Sequence, residues 1–283
     1  MTLKTVLITG CSSGIGRALA QTYLQADYKV YACARRLETL NSLHHSRLVP
    51  IKMDVNNPQD IEQALQKITE DSGYLDCLIN NAGFAAMGPV SELSTENLAQ
   101  QFATNVFAPV ALTKAFLPLL RHNATASSLS QIINIGSISG ILTTPFSGAY
   151  CATKAALHSL SDALRMELKP FHIEVITIQP GGIESEFGNN SLKNLAGILA
   201  DDSIFMPLKI QIEARATASQ ENPTPAAEFA QILFEKTQHK PKAEIRIGHG
   251  STLLPLIKRL LPTKLVDKIL SKKFGLNSLQ KQQ

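Results

Sequence analysis

Apolar and polar positions along the chain fall into two alternating rhythms. Short β-branched runs at Thr5 to Thr9, Lys29 to Ala34, Leu48 to Met53, Cys77 to Asn80, Gln131 to Ile135, Glu174 to Ile178 and Glu244 to Ile247 read as strands. Between them apolar residues recur at three- and four-residue spacing, as in Ile61, Ala64, Leu65 and Ile68, or Leu157, Leu160, Ala163, Leu164 and Leu168. That spacing predicts amphipathic helices. Strand and helix in regular alternation imply a parallel sheet with helices on both faces, and burial of both faces explains why the strands are continuous apolar runs. The expectation is an α/β fold built on one doubly wound, seven-stranded parallel sheet, a single domain over residues 1–250. Two stretches break the rhythm. Residues 182–224 are far longer than the usual connection of about 2–6 residues and predict a lid over a substrate. Residues 251–283 form an extension.

Composition narrows the class without naming a chemistry. With 44% hydrophobic and 18% charged residues in 283, the chain is globular, and disordered, collagenous and disulfide-framework classes are excluded. The net charge of +4 is unevenly placed. From Ser251 onward seven basic residues face the single acid Asp267, so the extension is strongly basic and the body slightly acidic. That balance argues against nucleic acid as a partner. Cys11, Cys33, Cys77 and Cys151 form no CxxC pair and no metal-ligand spacing, so they read as reduced, buried small residues and no metal site is expected. The N-terminal apolar run is too short for a signal peptide, and no apolar run reaches the ~18 residues of a membrane span. A cytoplasmic protein is expected.

Chemistry first becomes visible after the first strand. Thr9-Gly10-Cys11-Ser12-Ser13-Gly14-Ile15-Gly16 opens a helix expected to run to about Ala26. Glycines let backbone approach a pyrophosphate, and the free N–H groups and dipole of a helix start attract the anion. The glycine spacing departs from GxGxxG, and a plain strand-to-helix turn is the alternative. At the end of the second strand, where a carboxylate would hold ribose hydroxyls, the chain has Ala34-Arg35-Arg36. Arg35 suits a 2′-phosphate, which favours NADP(H) over NAD(H); solvation at a helix start is the alternative, more so for Arg36. Tyr150 and Lys154, four apart, share one helix face. Ser137 follows the fifth strand at the carboxyl edge of the sheet, and Asn105 lies on the preceding helix.

Together these residues resemble the short-chain dehydrogenase/reductase family, with its Rossmann-type fold, over nearly everything up to about Gly250. The resemblance is carried by TGxxxGIG at Thr9 to Gly16, NNAG at Asn80 to Gly83, Asn105, Ser137, YxxxK at Tyr150 to Lys154, and Pro180-Gly181. It implies an oxidoreductase that moves a hydride between a nicotinamide and a carbonyl or alcohol. Tyr150 would be the acid/base, Lys154 would lower its pKa and hold the ribose, Ser137 would polarise the carbonyl, and Asn105 would anchor a relay water. The cofactor set it implies is Gly10, Ser12, Ser13, Gly14, Ile15, Gly16, Arg35, Asp54, Val55, Asn81, Ala82, Gly83, Tyr150, Lys154, Pro180, Gly181, Ile183 and Ser185. Ser185 stands where the family commonly has Thr. Family members are often dimers or tetramers, so a homo-oligomer is an expectation. The alternative is a nucleotide-sensing protein that recruits partners through its tail.

The lid is apolar, with Phe187, Leu192, Leu195, Ile198 and Phe205 among others. A hydrophobic substrate and the packing of a lid helix onto the body explain it equally. Cys11-Ser12-Ser13, Ala34-Arg35-Arg36 and the extension resemble family members acting on steroids, retinoids and acyl-dihydroxyacetone phosphate, and that resemblance implies a small lipophilic carbonyl or alcohol substrate of steroid, retinoid or lipid type. In the extension two amphipathic segments interleaved with cations meet at Pro262. Residues 251–274 therefore suit peripheral membrane contact, or packing on protein with the lysines in water.

Overall fold

Seven strands, β1 (Thr5–Ile8), β2 (Lys29–Ala34), β3 (Leu48–Lys52), β4 (Cys77–Asn80), β5 (Ser130–Ile135), β6 (Ile173–Pro180) and β7 (Glu244–Ile247), form one sheet in the order β3-β2-β1-β4-β5-β6-β7. Every pairing is parallel. This computed structural model describes residues 3–195 and 197–281. Three expected strands, β2, β4 and β7, have the anticipated bounds, and the others shift by one or two residues at their ends.

The pleat divides the inner strands between two cores. Leu7, Tyr31, Leu78, Ile132 and Val175 occupy paired register positions on one face. There they pack against Ile61 and Ile68 of α2 (Pro58–Asp71). Leu112, Phe116 and Leu120 of α4 (Ala108–His122), which follows α3 (Thr95–Phe102), cover the same face. Ile8, Ile79, Ile133 and Ile176 share the opposite face with Leu19 and Tyr23 of α1 (Gly14–Gln25). Thr95–His122 is by length and composition apolar enough to cross a membrane, yet half of its most apolar stretch is buried inside the protein. Its stripe is a core face, as for any helix laid on a sheet.

A buried polar chain fixes the 21-residue helix α5 (Gly148–Leu168) to the sheet. Asn80 Nδ2 donates to Asn134 Oδ1 (2.8 Å), Asn134 Nδ2 to Ser161 Oγ (2.8 Å), and Ser161 Oγ to the Leu157 carbonyl (2.7 Å). Leaving one such buried group unpaired costs about 1–3 kcal/mol, so these bonds fix how α5 sits over the carboxyl ends of β4 and β5.

The 182–224 stretch is helical: α6 (Phe187–Leu195) and α7 (Lys209–Thr217). Then α8 (Ala226–Gln238) returns to cover the sheet beside α1, through Phe229 and Leu233. The extension forms α9 (Leu253–Leu260) and α10 (Thr263–Lys273), separated at Pro262. Phe274 and Leu270 pack with Leu195, Leu208, Ile212 and Phe146, which fastens the extension to the lid. Leu256, Leu260, Leu265 and Ile269 of the same two helices stay exposed. All four cysteines are free and buried.

Candidate active site

The loop after β1 reaches its shape through its neighbours. Gly10 has φ +73° and Gly14 φ +52°, left-handed values that suit glycine. A Cβ on Gly16 would lie 2.2 Å from the Gly10 carbonyl oxygen, so no larger residue fits there. Thr9 Oγ1 accepts from the Asn81 and Ala82 N–H groups (3.0 Å each), and Asn81 Nδ2 donates to the Thr9 carbonyl (2.8 Å). The Asn80 to Gly83 motif thus works partly as a brace for the glycine loop. Ser13, at the N-cap of α1, makes no side-chain bond to the helix start, which leaves first-turn N–H groups available to an anion.

That loop borders a cavity of about 1000 Å³ at the carboxyl edge of the sheet. Gly10, Ser12, Ser13, Gly14, Ile15, Gly16, Arg35, Asp54, Val55, Asn81, Ala82 and Gly83 line it. So do Ser137, Tyr150, Lys154, Pro180, Gly181, Ile183 and Ser185. Every residue expected at the site is therefore on its wall except Asn105. A glycine cradle, free helix N–H groups and a long cavity fit a nicotinamide dinucleotide. Arg35 is exposed on the wall, whereas Arg36 meets Glu38 in a solvated pair at 3.9 Å. Ser185 faces the loop, its Cβ 2.9 Å from where a Gly14 Cβ would be, and its N–H donates to Gln220 Oε1 (3.1 Å).

Asn105 sits one layer behind the wall. It belongs to a π-helical turn, Ala103–Phe107, between α3 and α4, where ordinary helix was expected. The widened turn directs its amide inward. Oδ1 accepts from Phe84 N–H (3.1 Å), and Nδ2 donates to the Phe84 carbonyl (2.9 Å) and to Thr153 Oγ1 (3.1 Å). The position of a Gly83 Cβ would be 3.0 Å from Asn105 Oδ1 and 3.8 Å from Lys154 Nζ, so Gly83 leaves the room in which the two approach.

Tyr150 and Lys154 are both buried on α5. Tyr150 packs at 5.4 Å on the Phe187 ring, among Ala85, Met87 and Ala216. Burial pushes its phenol up to about 12, opposed by the Ser137 hydroxyl and by Arg215. Withdrawal from water outweighs these favourable neighbours, and the Lys154 ammonium donates to the Ile135 carbonyl at 2.7 Å. Burial also lowers Lys154 itself to about 8.

Three contributors were not anticipated. His158 continues the 150, 154 series by another four residues. Its Nε2 accepts the Ser137 N–H at 3.3 Å, and burial lowers it to about 4, so it is neutral. The imidazole occupies space against Gly136 and Gly140 that a side chain there would need. Gln101 Oε1 accepts from the Ala86 N–H at 2.7 Å and fixes the loop beneath Tyr150. Arg215, from α7, brings a cation to the cavity wall. The i, i+4, i+8 spacing was a signal for His158. A lone arginine in a lid is not.

Comparison with known proteins agrees with this fold. The model of the short chain dehydrogenase family matches residues 4–196. A probable short-chain type dehydrogenase/reductase, VdlC, of Helicobacter pylori is 33% identical over 264 residues, covering 93% of this chain and 95% of that one. A 3-ketodihydrosphingosine reductase of Bacteroides thetaiotaomicron is 36% identical over 210 residues, 73% of this chain and 75% of the relative. Among solved structures, a short-chain dehydrogenase from Streptomyces avermitilis superposes with a TM-score of 0.77 at 27% identity, covering 99% and 98%. A serine dehydrogenase complexed with NADP+ gives 0.73 at 27% identity, covering 86% and 94%. The fold is shared as well by a Burkholderia phymatum protein in complex with NAD, at 0.77 and 23% identity, covering 95% of each chain. With its motifs gathered on one cavity wall and these relatives matched along its length, the chain belongs to the short-chain dehydrogenase/reductase family.

Proposed function

We propose that the protein is an NADP(H)-dependent oxidoreductase that interconverts the carbonyl and alcohol forms of a lipophilic substrate in this cavity. The observation that carries the reading is that Tyr150, Lys154 and Ser137 face the same cavity as the free N–H groups of α1. A bound nicotinamide supplies or takes up the hydride. The Tyr150 phenol, kept protonated by burial, gives its proton to the carbonyl oxygen, and Ser137 donates a hydrogen bond to the same oxygen. Lys154, held by the Ile135 carbonyl, stabilises the phenolate left behind and binds the ribose hydroxyls. Asn105, in the same corner as Lys154, anchors a relay water.

The apolar lining from Met87, Leu142, Phe187, Leu254, Leu270 and Phe274 supports a lipophilic substrate, as does the likeness to a relative named 3-ketodihydrosphingosine reductase. Arg35 supports the NADP(H) preference because it lines the cavity without a carboxylate partner among the described ion pairs. The exposed leucines of α9 and α10 lie among Lys258, Arg259, Lys264 and Lys268, while Leu254 and Leu270 of the same helices line the cavity. An anionic lipid surface fits that face and would sit beside the cavity.

Tyr150→Phe is expected to lower carbonyl-dependent NADPH oxidation by about 10²–10⁴-fold with NADPH affinity retained; unchanged turnover refutes the proton donor. Arg35→Ala is expected to weaken NADPH about tenfold or more and NADH little, as fluorescence titration reads directly; equal losses place Arg35 away from the 2′-phosphate. In co-sedimentation with phosphatidylserine vesicles, the triple variant Leu256→Asp, Leu260→Asp, Ile269→Asp is expected to remain in the supernatant while wild type pellets. Equal behaviour of the two removes the membrane assignment.

A further inference from the structure

Arg215 is half-buried on α7 and lines the cavity. Its Nε donates to Thr144 Oγ1 at 2.7 Å and its Nη2 to Ser147 Oγ at 3.0 Å. A guanidinium carries five N–H donors, so three remain uncommitted. Both partners are neutral hydroxyls that already bond each other at 2.8 Å, and they contribute no counter-charge. Among the described residues Arg215 is in no ion pair, although the carboxylates Glu186 and Glu221 line the same cavity. Withdrawal from solvent lowers its pKa, and its charge is felt by Tyr150. Pinning α7 to the 144–147 turn needs only hydroxyl-binding donors, which a neutral amide supplies without the cost of a buried charge. A charge kept there unpaired makes chemical sense where an anion arrives.

We propose that Arg215 is the recognition site for an anionic headgroup, so that the substrate is an amphiphilic carbonyl compound whose carboxylate or phosphate seats on Arg215 while its chain follows the apolar wall. This rests on the reading of the cavity as an oxidoreductase's substrate pocket. The guanidinium is a bidentate fork for either oxyanion, and Thr144 and Ser147 hold it in one orientation. Tyr150 and Arg215 then divide the work: the phenol meets the carbonyl oxygen and the guanidinium meets the headgroup. The chain lies toward Phe187, Leu270 and Phe274.

Calorimetry with octanoate, octyl phosphate and octan-1-ol, at saturating NADPH, tests this without requiring turnover. Wild type is expected to bind both anions at least tenfold more tightly than the alcohol. Arg215→Met is expected to lose that preference with the alcohol unaffected, and Arg215→Lys to retain it within a few-fold. The exposed Lys193 and Lys273 also line the cavity, and anion binding that depends on them instead leaves Arg215→Met without effect. No preference in wild type, no effect of Arg215→Met, or equal loss for all three ligands each overturns the proposal. Arg215-dependent anion binding by a protein in which no carbonyl compound supports NADPH oxidation contradicts the oxidoreductase reading alone. Turnover of neutral ketones with octanoate affinity untouched in Arg215→Met contradicts this inference alone.

Discussion

The site depends on one interaction, the 2.7 Å hydrogen bond from the buried Lys154 ammonium to the carbonyl of Ile135 at the end of β5. Lysine is almost never fully buried unless paired, and here the partner is a strand-end dipole rather than a carboxylate. The bond ties the middle of α5 to the carboxyl edge of the sheet and places a cation inside the cavity. Among the described residues no carboxylate pairs with it, and burial brings its pKa down to about 8.

The surrounding structure follows from keeping that pair of groups in place. Below Lys154 on the same helix, Ser161 closes the polar chain through Asn134 to Asn80, so the sheet sets the height and rotation of α5. Above it, Tyr150 lies under Phe187, and the lid helices complete the enclosure. His158 fills the gap left by Gly136 and Gly140 and holds the Ser137 backbone, which aims the Ser137 hydroxyl beside the phenol. Desolvation makes the phenol a firm proton holder and the lysine an easily discharged cation. The same enclosure strengthens every charge that acts within it.

The sheet was legible in the sequence because its inner strands are buried on both faces, so Lys29 to Ala34 or Cys77 to Asn80 stands out as an apolar run between turn residues. The glycine loop was legible because position and residue type coincide. Other features are products of tertiary packing. Widening of the helix at Asn105 follows from fitting its amide to Phe84 and Thr153, and no local propensity marks it. The role of Arg215 emerges only when α7 folds back over the 144–147 turn. The tail's two readings were both open because its segments have two apolar faces, one packed on the lid through Phe274 and one exposed through Leu260.

The central claim is that burial, without a neutralising acid, leaves Lys154 a weakly held cation beside a firmly protonated tyrosine. Titration of the Lys154 side-chain nitrogen by NMR, with ¹⁵N-labelled lysine and Lys154→Arg to assign the signal, measures this directly. Its folded pKa lies below the ordinary lysine value, so the ammonium is complete at pH 6 and is lost as pH rises through about 8. A midpoint near 8 is the result the structure predicts. A midpoint at the ordinary 10.5 would mean that Lys154 is solvated or paired with an anion, and would contradict the account.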